Sequence, residues 1–484
     1  MGDLEFLQFM HRVVMLGFMF AFGACVGSLI NVLVWRLPRG LGVVTPASAC
    51  PSCGTRLTWR ENIPVIGWIM LRGRCRFCSA RVSAEYPIVE AIVGFLFVAA
   101  YLLCYGLPDA VGHMGAPHAM APAWAGIGVK WTWPIFVMWL ILLGCLVAMT
   151  IVDAKTFTIP APLTTVPLVL GLVVHPAYAA WVSSWEGLKF VPSAGWTWVI
   201  PSPGGQGWGV WWIGLALGGA AGLVLANVLM ATGLIRRSFL DAEEWERGEV
   251  ARLRALHREK HVEGTTETPG DAGTIEPATA AVVGLSLEKA EEDELSADEE
   301  AFVFNPEVWR GYPHARREVL REVIFLAPVI GLGLLGGWVA LKVAGCGPSP
   351  SGFGLVCEHS APLWLDALAG ALLGMLIGGG AVWFVRIAGS LAFGKEAMGL
   401  GDVHMMAAVG ACLGWIDATL GFLGSAFVGI LWAIFGLVLG GRLKRSMPLG
   451  PFLAVATVLV VVCKPLLIRW LVPHLGAWEV YSIP

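Results

Sequence analysis

Residues 133–153 read WPIFVMWLILLGCLVAMTIVD, a run without charge until its closing aspartate. About 20 such residues in helical form cross a hydrocarbon core of roughly 30 Å. Lipid offers no partner to an open backbone group, so the run must be helical. The pattern recurs along the chain. Apolar segments lie near 13–35, 87–105, 133–152, 161–182, 209–234, 322–344, 363–389, 403–416, 418–440 and 449–472, the eighth short enough for a half-helix. The 484 residues are 57% hydrophobic and 14% charged, against about 25% charged in a soluble domain. The expected fold is an all-α polytopic membrane protein of about 8–10 transmembrane helices, with a small zinc-ribbon-like domain in its first loop. The bilayer is its first partner. The first run is too long for a signal-peptide core and lacks a small-residue cleavage site, so it is expected to stay as an anchor. A net charge of −3 gives no field that would draw nucleic acid.

Basic residues orient the helices. The 36–85 loop holds Arg36, Arg39, Arg56, Arg60, Arg72, Arg74, Arg76 and Arg81 against Glu61 and Glu85 alone, which makes it cytoplasmic. Alternation then places Arg236/Arg237, Arg386/Lys395 and Arg442/Lys444/Arg445 inside as well, while Lys464 and Arg469 fit poorly. Asp153 and Asp402 both reach the inner surface. The loop with Cys346 and Cys357 falls outside, where disulfides persist; a bridge and two free thiols both remain open. Cys25, Cys104, Cys145, Cys412 and Cys463 sit in or near apolar runs and read as small core residues.

The expected division is 1–35, the first transmembrane helix; 36–86, the four-cysteine domain; 87–182, helices with the first acid; 183–362, an insertion with two further helices; 363–472, helices with the second acid; and a tail, 473–484. Within the insertion, 238–321 is charged and includes Glu291-Glu292-Asp293-Glu294. Its 241–262 part reads as a charged surface helix and 263–300 as a disordered linker. Residues 212–237 and 364–388 share small residues spaced for close helix packing, from a partial duplication or from shared membrane-helix composition. Trp181, Trp185, Trp196, Trp198, Trp208, Trp211 and Trp212 read as interface anchors.

Carboxylates at membrane depth are costly and mark function. Asp153 precedes AKTFTIP; Asp402 follows Gly399-Leu400-Gly401, glycines that permit a positive φ or a close chain approach. Two carboxyls within reach of one another do not both ionise easily, so one keeps a proton while the other is a base. Such a pair activates a water and protonates a leaving amine. A proton-coupled transporter is the alternative, although transporters place such acids near the bilayer midplane. A catalytically dead assembly platform is a third reading.

Cys50-Pro-Ser-Cys53 and Cys75-Arg-Phe-Cys78 form two knuckles whose spacing reads as a closed, structural zinc ribbon. A redox pair is the other reading. Metal would stabilise a loop too small for a core of its own. Ser28 and Asn31 read as helix–helix hydrogen-bonding groups, and Glu90 as a partner for a loop arginine or, less directly, part of a methylation site.

The motifs FGACVGSLINVLVWRLP (22–38), residues 50–90, IVDAKTFTIP (151–160), EAMGLGDVHMMAAVGACLGW (396–415) and MPLGPFLA (447–454) together resemble the type IV prepilin peptidases. The resemblance covers about 1–175 and 363–460, outside the insertion. It implies a bacterial inner-membrane aspartyl protease with its active site facing the cytoplasm. Such enzymes cut the basic leader from prepilins and pseudopilins after a glycine, and many then methylate the new N-terminus with S-adenosylmethionine. It implies Asp153 and Asp402 as the protease acids and Cys50, Cys53, Cys75 and Cys78 as zinc ligands. This chain departs from the family at Ala161, where Asp is usual, and at His404, where Lys is usual.

Overall fold

The computed structural model describes residues 3–45, 47–106, 122, 125, 128–184, 206–239, 241–265, 312–348, 355–359, 361–394, 396–440 and 448–474. The helices are α1 (Asp3–Arg36), α2 (Ile66–Met70), α3 (Glu85–Tyr105), α4 (Val129–Thr156), α5 (Ala161–Ser183), α6 (Gln206–Ala231), α7 (Ala242–Thr265), α8 (Ala315–Val343), α9 (Leu363–Phe393), α10 (Leu400–Leu413), α11 (Trp415–Gly440) and α12 (Gly450–His474). Among the described residues, eight helices are long and apolar enough to cross a membrane; Leu400–Leu413 and Gly450–Lys464 are shorter apolar stretches. Each apolar segment of the sequence is a helix, and the expected half-helix is the 14-residue α10, which ends at Gly414 with φ 95°. Helices α1 and α8 begin at Asp3 and Ala315, earlier than hydropathy places them. Hydropathy finds the lipid-matched stretch, whereas the helix runs on through polar turns that satisfy their own backbone bonds. The surface helix expected at 241–262 is α7. Residues 266–300 of the expected linker, Trp185, Trp196, Trp198, Lys395, Arg442, Lys444, Arg445 and the tail from 475 lie outside the described residues.

The chain forms two compact units. The first comprises Met1–Val228, Leu326–Phe384 and Gly399–Pro484; the second, Leu229–Phe325 and Val385–Met398. Small residues let helices of the first unit approach closely. A Cβ on Gly23 would sit 2.8 Å from Gly94 Cα, and one on Gly27 would sit 2.7 Å from Glu90 Cα, so α1 lies against α3. Asn31 donates to the Tyr86 carbonyl at 3.1 Å, the helix–helix bond expected of it. The small-residue stripes of α6 and α9 have different partners: Gly214, Gly218 and Gly222 meet α8, whereas Gly374 and Gly378 meet α10.

Buried polar groups tie helices of this unit together. His175 on α5 shares a hydrogen bond with the Cys412 carbonyl at 3.1 Å, and the Cys412 thiol donates to the Pro167 carbonyl at 3.0 Å, which tie α5 to α10. Lys464, anomalous by the loop-charge rule, pairs with Asp417 at 2.7 Å, joining α12 to α11. The charge is therefore a helix–helix tie and not a topology signal. Cys346 and Cys357 form a disulfide that closes the hairpin of β1 (Gly347–Pro348) and β2 (Leu355–Val356).

Removing one member of a buried ion pair strands the other and costs about 3–5 kcal/mol, while removing both is far milder. Lys464→Met is expected to lower thermal stability in detergent, and Asp417→Asn/Lys464→Met to recover most of the loss. Thermal unfolding of the three proteins checks this.

Candidate active site and metal centre

After α1, the Arg36 guanidinium donates to the carbonyls of Gly42 and Val43 at 3.1 and 2.9 Å and folds the chain into the cysteine loop. The two knuckles repeat one design. In the first, Cys50 N–H donates to the Thr55 carbonyl and Gly54 N–H to the Cys50 carbonyl; in the second, Cys75 N–H donates to Ala80 and Ser79 N–H to Cys75. The residue after each second cysteine is left-handed, Gly54 at φ 69° and Ser79 at φ 59°. This aims both thiols of each knuckle inward.

The four sulfurs lie within 4.8 Å of one another, with Cys50 to Cys78 at 3.8 Å and Cys53 to Cys75 at 4.0 Å. A zinc–sulfur bond of about 2.3 Å in a tetrahedron sets sulfur–sulfur edges of about 3.8 Å. The donor set therefore fits zinc as a closed, structural site. Hydrogen bonds from Thr55 pull the Cys53 thiol down to about 6, and the Cys78 and Phe77 amides lower Cys75. These two shifts favour the thiolates that metal binding requires, while Cys78, beside the other thiols, is pushed up to about 11. All four cysteines are free of disulfide bonds.

This loop docks on α3. Glu90 accepts the Val65 N–H at 2.7 Å and a hydrogen bond from Ser28. The arginine partner expected for Glu90 is thus replaced by a backbone amide and a hydroxyl. Val65 sits at φ 60°, ψ −55°, and Ile66 N–H donates to the Pro64 carbonyl, a rare and strained γ-turn that the Glu90 carboxylate holds. Lys155 and Glu85 form an ion pair between the end of α4 and the start of α3. The cysteine loop and Asp153 thus share one end of these helices.

Asp153 is buried in the last turn of α4. The turn stops at Phe157, left-handed at φ 52°, whose N–H donates to the Asp153 carbonyl. The Asp153 side chain accepts the Gly450 N–H at 2.9 Å. Gly450 is the first residue of α12, so the positive end of that helix faces the carboxylate. A Cβ on Gly450 would stand 2.6 Å from Asp153 Oδ2. Sequence reasoning quoted MPLGPFLA as a motif but gave Gly450 no role; its signal was a glycine and a proline at the head of an apolar run.

Asp402 is half-buried in the first turn of α10, behind the extended Gly399 at φ −70°, ψ 147°. Of the two possibilities for these glycines, close approach is the one realised, at Gly401. A Cβ on Gly401 would stand 3.0 Å from the Ile159 Cβ, in the turn that follows Asp153. Helices α4, α10 and α12 touch one another pairwise; Gly450 meets Asp153, and Gly401, next to Asp402, meets Ile159 in the turn after Asp153. His404 is exposed on the same turn, and Ala161 opens α5.

Two family models match the chain: the bacterial peptidase A24 N-terminal domain over residues 21–104 and the type IV leader peptidase family over 349–434. The chain thus carries matches to two models of this peptidase family, each over less than half of its length. The first model spans all four cysteines and the second spans Asp402, while Asp153 and Gly450 lie outside both. The chain is similar to the prepilin leader peptidase/N-methyltransferase of Myxococcus xanthus, 32% identical over 157 residues, 32% of this chain and 39% of that one. To its Klebsiella pneumoniae counterpart it is 33% identical over 165 residues, 33% and 60% of the two chains. To that of Aeromonas salmonicida it is 27% identical over 253 residues, 46% and 78%. The alignments with the first relatives span 39%, 60% and 56% of their length. No solved structure matches the chain.

Loss of one thiolate would leave three of the four donors that zinc would need for a closed site. Cys75→Ser is expected to lower the bound zinc and to make the 48–82 loop protease-sensitive. Elemental analysis and limited proteolysis of the purified protein check both.

Proposed function

We propose that this protein is a prepilin leader peptidase that cleaves the basic leader of prepilins or pseudopilins by an aspartyl pair, Asp153 and Asp402, and methylates the new N-terminus. The observation that supports the reading is the contact of the Gly450 amide with Asp153 together with the packing of Gly401, beside Asp402, on Ile159 in the turn after Asp153. Both acids lie at helix ends and neither at mid-helix, which disfavours the transporter reading.

The chemistry follows from the pair. One carboxyl keeps its proton and the other accepts one from water; their two apparent pKa values belong to the pair jointly. The activated water attacks the scissile carbonyl, and the protonated acid gives its proton to the leaving amine. A hydrogen bond from Gly450 to Asp153 Oδ2 leaves the other carboxylate oxygen for this exchange. Cys50, Cys53, Cys75 and Cys78 would hold zinc, which would give the loop its shape and stand apart from the proton transfers. The methyl donor, S-adenosylmethionine, is drawn from the relatives' names, and no step of the cleavage passes through it.

The reading also places the cysteine loop and both acids at the cytoplasmic face of a bacterial inner membrane. The arginines of residues 36–85 support this orientation. Residues 183–362 are read as an insertion between family helices; neither family model covers 105–348.

Asp153→Asn and Asp402→Asn are each expected to abolish cleavage of a prepilin incubated with the protein and methyl donor, read by mass spectrometry of the product N-terminus. Full processing by either variant removes that acid from the mechanism. Gly450→Ala pushes a methyl group against the Asp153 carboxylate and is expected to lower turnover roughly a hundredfold, the order that small misplacements cost. The same assay, run as initial rates, checks this.

A further inference from the structure

The loop between α1 and α3 is rich in arginine, and residues 36–90 hold only three acids, Glu61, Glu85 and Glu90. Two of them are engaged by the fold. Glu90 is buried and accepts the Val65 N–H at 2.7 Å. Glu61 accepts the Thr58 N–H at 2.8 Å and pairs with Arg76 at 3.6 Å, with 5% of its side chain exposed. Glu85 differs. Its side chain is 49% exposed, and its carboxylate pairs with Lys155, itself 48% exposed. The Glu85 N–H is satisfied separately by the Ser83 hydroxyl at 3.2 Å.

Lys155 stands two residues past Asp153 in the last turn of α4, and Glu85 opens α3. All of these residues belong to the first compact unit. An ion pair this open to water is weak, because each charge loses little when the two part. It fastens two helices poorly but exchanges readily. A second cation can replace Lys155 on Glu85 without leaving a buried charge unpaired. The substrate proposed above brings such a cation, since its leader is basic. The arginines of residues 36–85 repel that leader from most of the loop surface, which leaves the exposed carboxylate beside the end of α4 as the place where it is attracted.

We propose that Glu85 is a specificity-determining residue that receives a basic side chain of the leader, with Lys155 holding the place until the leader displaces it. The inference rests on the peptidase reading and assigns the part of the site that reads charge. Lys155 acts as a built-in competitor. A neutral leader gains nothing by displacing it, so the pair discriminates against such leaders as well as favouring basic ones.

A latch and an exchange site respond differently to loss of the lysine. If the pair only fastens α3 to α4, Glu85→Gln and Lys155→Gln break the same bond and do the same harm. If Glu85 receives the leader, Lys155→Gln removes a competitor. The test uses full chains in nanodiscs of zwitterionic lipid and fluorescent leader peptides that end at the cleavage site and so cannot be cut. One peptide keeps its basic residues and a second carries Gln in their place. The readouts are Kd by fluorescence anisotropy, kcat and KM on a prepilin, and thermal unfolding. Glu85→Gln is expected to weaken the basic leader about two- to fivefold, the range of an exposed ion pair, to raise KM by a similar factor at unchanged kcat, and to leave the Gln leader unaffected. Lys155→Gln is expected to bind the basic leader about two- to fivefold more tightly. Wild-type affinity for the basic leader in Glu85→Gln, or equal weakening of both peptides in both variants, would overturn the proposal. Should Glu85→Gln fail to fold, Lys155→Gln decides alone: tighter binding of the basic leader supports the proposal, and unchanged or weaker binding overturns it. A wild-type protein that cuts no prepilin would end the peptidase reading alone, and the order of leader affinities would still decide the role of Glu85.

Discussion

A polar group withdrawn from water into this protein must find a partner within it, because lipid supplies none. The structure answers that demand at four buried acids with a short bond. Asp153 takes the free amide of a helix N-terminus, Glu90 takes the amide of a strained turn, Asp417 takes Lys464, and Glu322 takes Arg386. Each of these bonds joins two elements distant in sequence. The cost of leaving any of them open is what fixes the helices to one another. Asp153 is one instance of the same rule, in which the partner is a backbone amide on one carboxylate oxygen.

Glycine does the complementary work. Where helices meet at Gly23, Gly27, Gly171 and Gly410, an added Cβ would run into the backbone of the neighbour. Close approach gains dispersion contacts that lipid cannot match in number. At Gly450 and Gly401 the same absence of a side chain serves the acids. One glycine admits the Asp153 carboxylate to a backbone amide, and the other lets the start of α10 rest on Ile159. Packing and chemistry thus draw on one property of one residue type.

The four-cysteine loop illustrates how a short segment is made rigid without a core. Its order comes from two knuckles of equal design and from the docking of Val65 onto Glu90. The sulfurs converge at edges matched to zinc. The loop shares an end of the helices with Asp153.

Much of this was legible in the residues. Ten apolar runs fixed the helices, because spanning length and backbone satisfaction leave no other structure. The knuckle spacing fixed the thiol cluster, and Cys346 and Cys357 were near enough in sequence to make a bridge plausible. The convergence of Asp153 with the start of α12 was not legible: Gly450 lies far along the chain, and the bond depends on backbone, which carries no residue signature. The partners of Glu90, Lys464 and Arg386 were hidden for the same reason. Sequence marks a charge as costly in the membrane, but only the folded arrangement decides which distant group relieves that cost, since the choice is made by distance and direction in space.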